Sequence, residues 1–317
     1  MKRFKNILVV ASGDPGFPAL LTRAVDLAVR NDGRVTLFGH VDSERTRRSV
    51  VMQDGESYDV GSLLIDARHE ELQDLAARVA RTIEGPQVPV EVVIASGRDF
   101  VEVIRTVSNR NHDLVMVGGS PASRFPALAG SSLAMHLLRK CPVPVWVSSE
   151  SEGVSPDVAV AVGPFDEGIQ TGSLDVTLLE IAASLAARRG GTLHVIHAWT
   201  LEGESLLRRG RIRPPAEQVD ALVAEEYKIA AMGLKRLLGF TPDFDIPIEQ
   251  HLERGEPGDA IRRVLDAQQP GVLVMGTLAR TGLNGVFIGN TAERVLGTIN
   301  ASVLAVKPEG FETPITG

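Results

Sequence analysis

The chain contains one unit twice, and this duplication limits the folds that it can adopt more than any other feature. In the best-matched part the second copy follows the first by 158 residues, which is the separation of Gly118 and Gly276. The clearest matches are HDLVMVGGSPASR (112–124) with PGVLVMGTLARTG (270–282), and NILVVASGD (6–14) with DVAVAVGPF (157–165). Two copies of one unit in a chain of 317 residues predict two similar domains rather than one large core.

The domain boundaries follow from the polar stretch between the copies, SSESEGVSP, which lacks hydrophobic periodicity as a linker should. We therefore predict a first domain at 1–149, a linker at 150–156, a second domain at 157–309 and a short tail at 310–317.

Each copy alternates short apolar runs with helical periodicity. In the second copy the run at 158–162 suits a buried strand, and an apolar stripe from Leu174 to Leu185 marks a helix that ends at Gly190. Such alternation predicts parallel strands joined by right-handed crossovers. We therefore predict an α/β fold with two tandem, doubly wound, parallel five-stranded sheets. Each has the Rossmann-like strand order 3-2-1-4-5, and a pseudo-two-fold axis relates them.

The pattern also predicts the individual elements. In the first copy the strands are 7–10, 35–39, 90–94, 114–117 and 143–147, and the helices are 20–30, 63–83, 100–109 and 131–140. In the second copy the strands are 158–162, 193–196, 246–249, 271–275 and 303–306, and the later helices are 221–238, one capped by Asp259, and 290–300.

Two prolines, Pro142 and Pro144, precede the fifth strand of the first copy. Because proline cannot donate to a β-ladder, this strand is predicted to lie at the edge of its sheet. An unpaired apolar edge favours a partner, and the equivalent strand near 302–306 is the natural one. We therefore predict an intramolecular pseudo-dimer through the fifth strands, and the whole chain can pair again as a homodimer.

A glycine-rich stretch follows the fourth strand of the second copy. This stretch contains four glycines, of which Gly276 is the first and Gly289 the last, and Asn290 then begins a helical pattern. Glycine lets backbone N–H groups approach phosphate oxygens, and a helix N-terminus adds free donors. The spacing matches neither the Walker pattern nor G-x-G-x-x-G. A structural alternative is that these glycines only form a tight turn and close helix packing.

The predicted topology indicates where a ligand would bind. In open α/β sheets ligands bind at the carboxyl ends of strands where the winding direction reverses, here between the first and fourth strands. This juxtaposes 163–172 with 276–289 in the second copy, and 12–16 with 118–130 in the first.

Composition narrows the function classes. The net charge of −7 argues against nucleic-acid binding. Cys141 is the only cysteine, which excludes an intrachain disulfide and favours a reducing cytoplasm. The apolar run near the N-terminus breaks at Ser12, too early for a signal peptide or a membrane span.

At this point the residues resemble the universal stress protein family in its tandem form, most closely the E type. The segments that carry the resemblance are GTLARTGLNGVFIGNTAERV, HLLRKCPVPVW and KPEGFETP. The resemblance implies two adenine nucleotide alpha hydrolase-like domains and a role in the stress response. It also implies ATP or another adenine nucleotide as the ligand of the second domain, and leaves any metal cofactor unknown.

The sequence departs from the family's nucleotide-binding pattern at several positions. ATP-binding members carry G-x2-G-x9-G-(S/T), which corresponds here to Gly276, Ala279, Gly289 and Asn290. They also use an aspartate after the first strand to recognise adenine, and Ser12 and Gly163 occupy that position here. In the first copy the glycine spacing is shorter and prolines stiffen the loop, so we expect a degenerate pocket.

The resemblance assigns three groups of site residues. The phosphate-binding group is Gly276, Thr277, Ala279, Arg280, Gly289, Asn290 and Thr291. The adenine or ribose pocket is Val162, Gly163, Pro164 and His197, and the degenerate first pocket is Ser12, Gly13, Gly118, Gly119, Gly130 and Ser131. No catalytic residue and no metal ligand is assigned.

Two further features admit a functional and a structural interpretation. His40 and His197 are predicted at equivalent ends of the second strand, as ligand contacts or as strand-end polar residues. The other histidines, among them His194 and His251, show no constellation. Arginines that follow the second strand can bind an anion or simply remain solvated. They are Arg45, Arg47 and Arg48 in the first copy, and Arg208, Arg209, Arg211 and Arg213 in the second.

The sequence therefore predicts a cytoplasmic stress-response protein that acts as a binding or regulatory module with a small-molecule ligand. One alternative is a slow ATPase or a nucleotide-dependent switch. Another is a carrier of a different small ligand, apolar in view of the missing aspartates. The sequence leaves the protein partner open.

Overall fold

The computed structural model describes residues 3–14, 16–42, 49–51, 57–83, 88–118, 133–149, 155–163, 173–210, 214–240, 245–277, 295 and 301–315. These residues fall into two compact units. The first contains the described residues up to 149 together with 310–315, and the second contains those from 155 to 309.

The first unit alternates parallel strands and helices. Its elements are β1 (Asn6–Val10), α1 (Phe17–Asn31), β2 (Arg34–Asp42), β3 (Ser49–Val51), β4 (Ser57–Asp59), α2 (Val60–Thr82), β5 (Val90–Gly97), α3 (Asp99–Arg110), β6 (Leu114–Gly118), α4 (Leu133–Lys140) and β7 (Val145–Ser148). Parallel pairing gives the order β5-β2-β1-β6-β7 in this unit. Every residue of β1 is buried, which is typical of a parallel strand covered by helices on both faces.

The second unit repeats this plan. Its elements are β8 (Val158–Val162), α5 (Leu174–Arg189), β9 (Leu193–Trp199), α6 (Glu204–Arg209), α7 (Ala216–Leu238), β10 (Ile248–Arg254), α8 (Pro257–Gln268), β11 (Val272–Gly276) and β12 (Ser302–Val306). Parallel pairing gives the order β10-β9-β8-β11-β12. Helix α5 ends as predicted, because Gly190 adopts the left-handed conformation at its C-cap.

One backbone contact recurs in both units just before the second strand. A Cβ atom on Gly33 would lie 2.6 Å from the carbonyl oxygen of Lys5. A Cβ atom on Gly191 would likewise meet the backbone of Pro156. Both glycines are therefore needed because the chain that enters the first strand passes directly over them.

The strand–helix alternation, the parallel pairing and the α/β class are confirmed, but the sheet prediction differs in detail. Besides its five parallel strands, the first unit contains a short antiparallel pair of β3 and β4 that was not predicted. Helix α6 was also missed. Asp259 does not cap α8 as predicted but lies in its first turn. The helix starts earlier, at Pro257, and its N-cap position is Glu256. Of the helix predicted at 290–300, only Val295 is described, and it is buried.

No helix in the described parts of the chain combines the length and the apolar composition that a bilayer crossing needs.

Candidate ligand crevice in the second unit

The winding direction of the second unit reverses between β8 and β11, the first and fourth strands of its order. Val272 pairs with Val158 and Met275 with Ala161, so the two strands end side by side. Val162 and Gly163 therefore lie beside the end of β11, where Gly276 and Thr277 begin the glycine-rich stretch. Four of the predicted site residues thus lie at one edge of the sheet.

A buried lysine lies at this same edge. The ammonium group of Lys307, the residue after β12, donates a hydrogen bond to the hydroxyl of Thr277 at 3.0 Å. Both side chains are almost completely buried, with exposed fractions of 9% for Lys307 and 2% for Thr277. The Thr277 amide in turn donates to the carbonyl of Val306 at 3.2 Å. The end of β11 therefore has a buried lysine side chain beside it, where the sequence analysis predicted phosphate.

The pocket side of the crevice contains a carboxylate that the sequence analysis did not assign. The amide of Gly163 donates to Oδ1 of Asp175, in the first turn of α5, at 2.9 Å. Ser173 caps this helix by accepting a bond from the Val176 amide at 3.4 Å. Gly163 itself has no side chain, so the acidic group near this position comes from the following helix.

Gly276 has a packing role as well. A Cβ atom on Gly276 would lie 3.1 Å from Cδ2 of Leu174, at the start of α5. The structural alternative, in which this glycine permits close helix packing, therefore applies at Gly276 whether or not a ligand binds there.

His197 is buried beneath the end of β8 rather than exposed at a rim. Its exposed fraction is 2%, and its Nδ1 lies 3.5 Å from the carbonyl oxygen of Val162. His40 is half-buried, with Nε2 2.8 Å from the carbonyl oxygen of Gly97. The predicted equivalence of His40 and His197 is wrong. Strand register matches His197 with Gly39, and a shift of one residue turns a side chain to the other face of the sheet.

The described part of the first unit's pocket contains a carboxylate. A Cβ atom on Gly118 would lie 3.4 Å from Oγ of Ser12 and 3.7 Å from Oδ2 of Asp14. Gly13, between them, is exposed. The carboxylate of Asp14 therefore faces the end of β6, a feature that the sequence analysis missed because it compared only position 12.

Several predicted positions lie outside the described residues. They are Pro164, Ala279, Arg280, Gly289, Asn290 and Thr291 in the second copy, Gly119, Gly130 and Ser131 in the first, and Arg45, Arg47, Arg48, Arg211 and Arg213 among the arginines. Of the remaining arginines, Arg208 forms ion pairs of 2.7 Å with Glu204 and with Asp220. Both carboxylates raise the pKa of Arg208, Asp220 contributing most. Arg208 is thus engaged within the surface of α6 and α7.

The interpretation that His194 and His251 show no constellation is also wrong. Within the described residues they form a cluster with Glu249, in which one ligand-competent atom from each lies within 4.8 Å of the others. The cluster lies on β9 and β10, near the amino end of β9 and thus away from the crevice. Local sequence could not reveal it, because the two histidines are 57 residues apart and only strand pairing brings them together.

Comparison with known proteins identifies the family. The universal stress protein family matches residues 3–149 and 171–307. The chain belongs to this family. Universal stress protein E of Escherichia coli K12 is 26% identical over 99% of this chain and 98% of the relative. The corresponding protein of Photorhabdus laumondii is 27% identical over the same shares.

Solved structures share the fold over nearly the whole length. A functionally unknown protein from Pseudomonas aeruginosa PAO1 is similar with a TM-score of 0.68 and 24% identity, covering 97% of this chain and 94% of that one. A universal stress protein from Archaeoglobus fulgidus DSM 4304 has a TM-score of 0.58 and 20% identity, with coverage of 96% and 98%. The predicted family and its tandem organisation are therefore confirmed.

Proposed function

We propose that this chain is a stress-response binding or regulatory module whose second unit binds an adenine nucleotide, ATP foremost, through its phosphates. The observation that carries the proposal is the buried Lys307–Thr277 pair at the end of β11. Phosphate oxygens are strong acceptors for an ammonium group, and charge-assisted hydrogen bonds of this kind are stronger than neutral ones. In this proposal Lys307 and the first amides of the glycine-rich stretch hold the phosphates.

The adenine end of the ligand would then lie near Val162 and Gly163. The Asp175 carboxylate, which accepts the Gly163 amide at 2.9 Å, lies at this position, and carboxylate oxygens accept hydrogen bonds from amino and ribose hydroxyl groups. This arrangement replaces the aspartate that the family places directly after the first strand.

The proposal is binding rather than turnover. In this proposal Lys307 donates to the Thr277 hydroxyl as an ammonium group, which has no lone pair with which to act as a general base. Cytoplasmic location, the pairing of the two halves through their fifth strands, and a homodimer remain predictions from the sequence.

The test is a calorimetric titration of the full chain with ATP, AMP and inorganic phosphate. Wild-type protein should bind ATP more tightly than AMP, because the charge at Lys307 acts on the phosphates. Lys307→Met should weaken ATP binding by about tenfold or more, since a charge-assisted hydrogen bond contributes about 1.5–3 kcal/mol. Lys228→Met is the matched control, because Lys228 lies exposed on α7 beside Glu225.

Unfolding curves establish that each variant is folded before it is titrated, and Thr277→Val offers a second, milder change at the same place. If wild-type protein binds none of the three probes, or if Lys307→Met and Thr277→Val bind ATP as tightly as wild type, the nucleotide proposal is wrong.

A further inference from the structure

Strand register brings two histidines and a carboxylate onto one face of the sheet in the second unit. His194 on β9 is the register partner of Glu249 on β10, and His251 follows Glu249 by two residues. Because alternate residues of a strand face the same side, the three side chains share a face. The imidazole of His194 is buried, that of His251 is mostly buried, and Glu249 is half-exposed.

One ligand-competent atom from each of the three side chains lies within 4 Å of the other two. Nδ1 of His194 lies 3.1 Å from Nε2 of His251 and 3.4 Å from Oε2 of Glu249. The third edge, from Nε2 of His251 to the same carboxylate oxygen, is 3.9 Å. Ligands at about 2.0–2.2 Å from a tetrahedral zinc ion stand about 3.3–3.5 Å apart, so the observed triangle needs only small adjustments to hold one.

The remaining nitrogen of His194 supplies a second, independent observation. Nε2 of His194 is buried and forms no hydrogen bond, although such a group is costly to leave unsatisfied. It lies 4.0 Å from Oδ2 of Asp157, whose Oδ1 is fixed by the Thr192 amide at 2.8 Å. A histidine that binds a metal through one nitrogen commonly directs its other N–H toward such a carboxylate. Metal binding at Nδ1 would therefore explain the arrangement at Nε2.

The first unit shows what the same framework does without these ligands. Register there places Thr36, Glu91 and Val93 at the positions of His194, Glu249 and His251. Glu91 is paired with Arg110 at 2.6 Å, whereas the residue at the matching position of α8 is Gln268. The second unit has thus replaced an ion pair by a carboxylate beside two imidazoles.

We propose that His194, His251 and Glu249 bind one divalent transition-metal cation of the zinc class. Two nitrogens and one oxygen suit Zn²⁺, and the fourth position is left to water or to an external ligand. In this proposal Asp157 is a positioning residue, because its Oδ2, 4.0 Å from Nε2 of His194, would accept the Nε2–H when the metal binds at Nδ1. This site is separate from the proposed nucleotide crevice and does not depend on it.

The test uses the full chain, freed of metal with a chelator and then titrated with zinc sulfate alone. Wild-type protein should retain one zinc ion per chain after dialysis, measured by elemental analysis, and should melt at a higher temperature with zinc than without it. With Co²⁺ as the probe, visible absorption should show a tetrahedral ion with nitrogen and oxygen ligands.

Variants locate the site. His251→Ala and Glu249→Gln should each weaken zinc binding at least tenfold and remove the zinc-dependent rise in melting temperature. Glu249 is more than half exposed, so Glu249→Gln should fold normally even if His251→Ala does not. Glu91→Gln at the matching position of the first unit, and His69→Ala on α2, are controls that should bind as wild type does.

Asp157→Asn should retain one zinc ion per chain while its affinity falls about 10–100-fold, with the metal-free melting temperature unchanged. Unchanged affinity in this variant would refute the positioning role. The site itself is refuted if wild-type protein retains no zinc, if Glu249→Gln binds zinc as tightly as wild type, or if the control variants lose the ion.

Discussion

The two units share a framework but differ in charge at the ends of their fourth and fifth strands. In the second unit Lys307 and Thr277 follow the last register pair of β11 and β12. In the first unit Ser149 stands where Lys307 stands in the second, and the carboxylate of Asp14 faces Gly118. The two units therefore share their strand pairing and backbone contacts, while the side chains at this edge of the sheet differ.

The two units also differ in the side chains near the amino ends of their second strands, β2 and β9. In the first unit Nε2 of His112 lies 2.9 Å from the hydroxyl of Thr36, a neutral pair that is complete in itself. In the second unit the strand position of Thr36 holds His194, which contacts His251 and Glu249. Changes at a few register positions, rather than a change of fold, thus account for the new chemistry.

The largest effect that we expect is a loss of stability when the glycine before the second strand is replaced, and it should be similar in both units. Gly33→Val and Gly191→Val should each lower the free energy of unfolding by about 1–3 kcal/mol or more, because the new side chain meets the backbone of the entering chain. Gly16→Ala is the control, since a Cβ there meets nothing within 4 Å, and its effect should stay within about 1 kcal/mol. Urea unfolding measures all three.

If only one of the two valine variants were destabilised, the contact before the second strand would not be equivalent in the two units.

The His112–Thr36 pair should make the stability of the first unit depend on pH. Burial lowers the pKa of His112, while the bond to the Thr106 carbonyl opposes the shift. The unfolded chain therefore binds a proton more readily, so this contribution is complete above about pH 6.5 and is lost as the pH falls below it. The urea midpoint of metal-free protein should fall between pH 7.5 and pH 5.5, and less so in His112→Gln.

His69→Gln serves as the control, because His69 lies partly exposed on α2 with its Nε2 beside Gln73. If the urea midpoint depends on pH equally in wild type and His112→Gln, then His112 does not cause the dependence.

The smallest effect should come from the surface ion pair between Glu91 and Arg110 in the first unit. At the position of Glu91 the second unit has Glu249, which belongs to the proposed metal site. Glu91 and Arg110 are both largely exposed, so Glu91→Gln should cost less than about 1 kcal/mol, and less still in high salt. Urea unfolding at two salt concentrations measures this. A cost of several kcal/mol would mean that Glu91 has a structural role that Glu249 does not share.

The fold was largely predictable because its signals are local. Apolar runs such as 114–117 marked buried strands, and their alternation with helical periodicity indicated parallel strands joined by helices. The missed elements have weak local signals, since β3 and β4 are three residues each and α6 has six. The early start of α8 was missed because Asp259 resembles a cap, although Pro257 at the first turn is the stronger signal.

The site was less predictable because its charges come from distant parts of the chain. Lys307 follows β12 and contacts Thr277, 30 residues earlier, only through strand register. Asp175 reaches Gly163 from the following helix. A lysine directly after the last apolar strand was a signal that could have been used. The error with His40 and His197 arose from matching identical residue types instead of counting register.

The most direct test of the divergence between the units is the stoichiometry of ATP binding to the full chain. The account predicts one ATP per chain, lost or weakened at least about tenfold in Lys307→Met and unchanged in Asp14→Asn. Two equivalent ATP molecules per chain, or one whose affinity depends on Asp14 and not on Lys307, would contradict it.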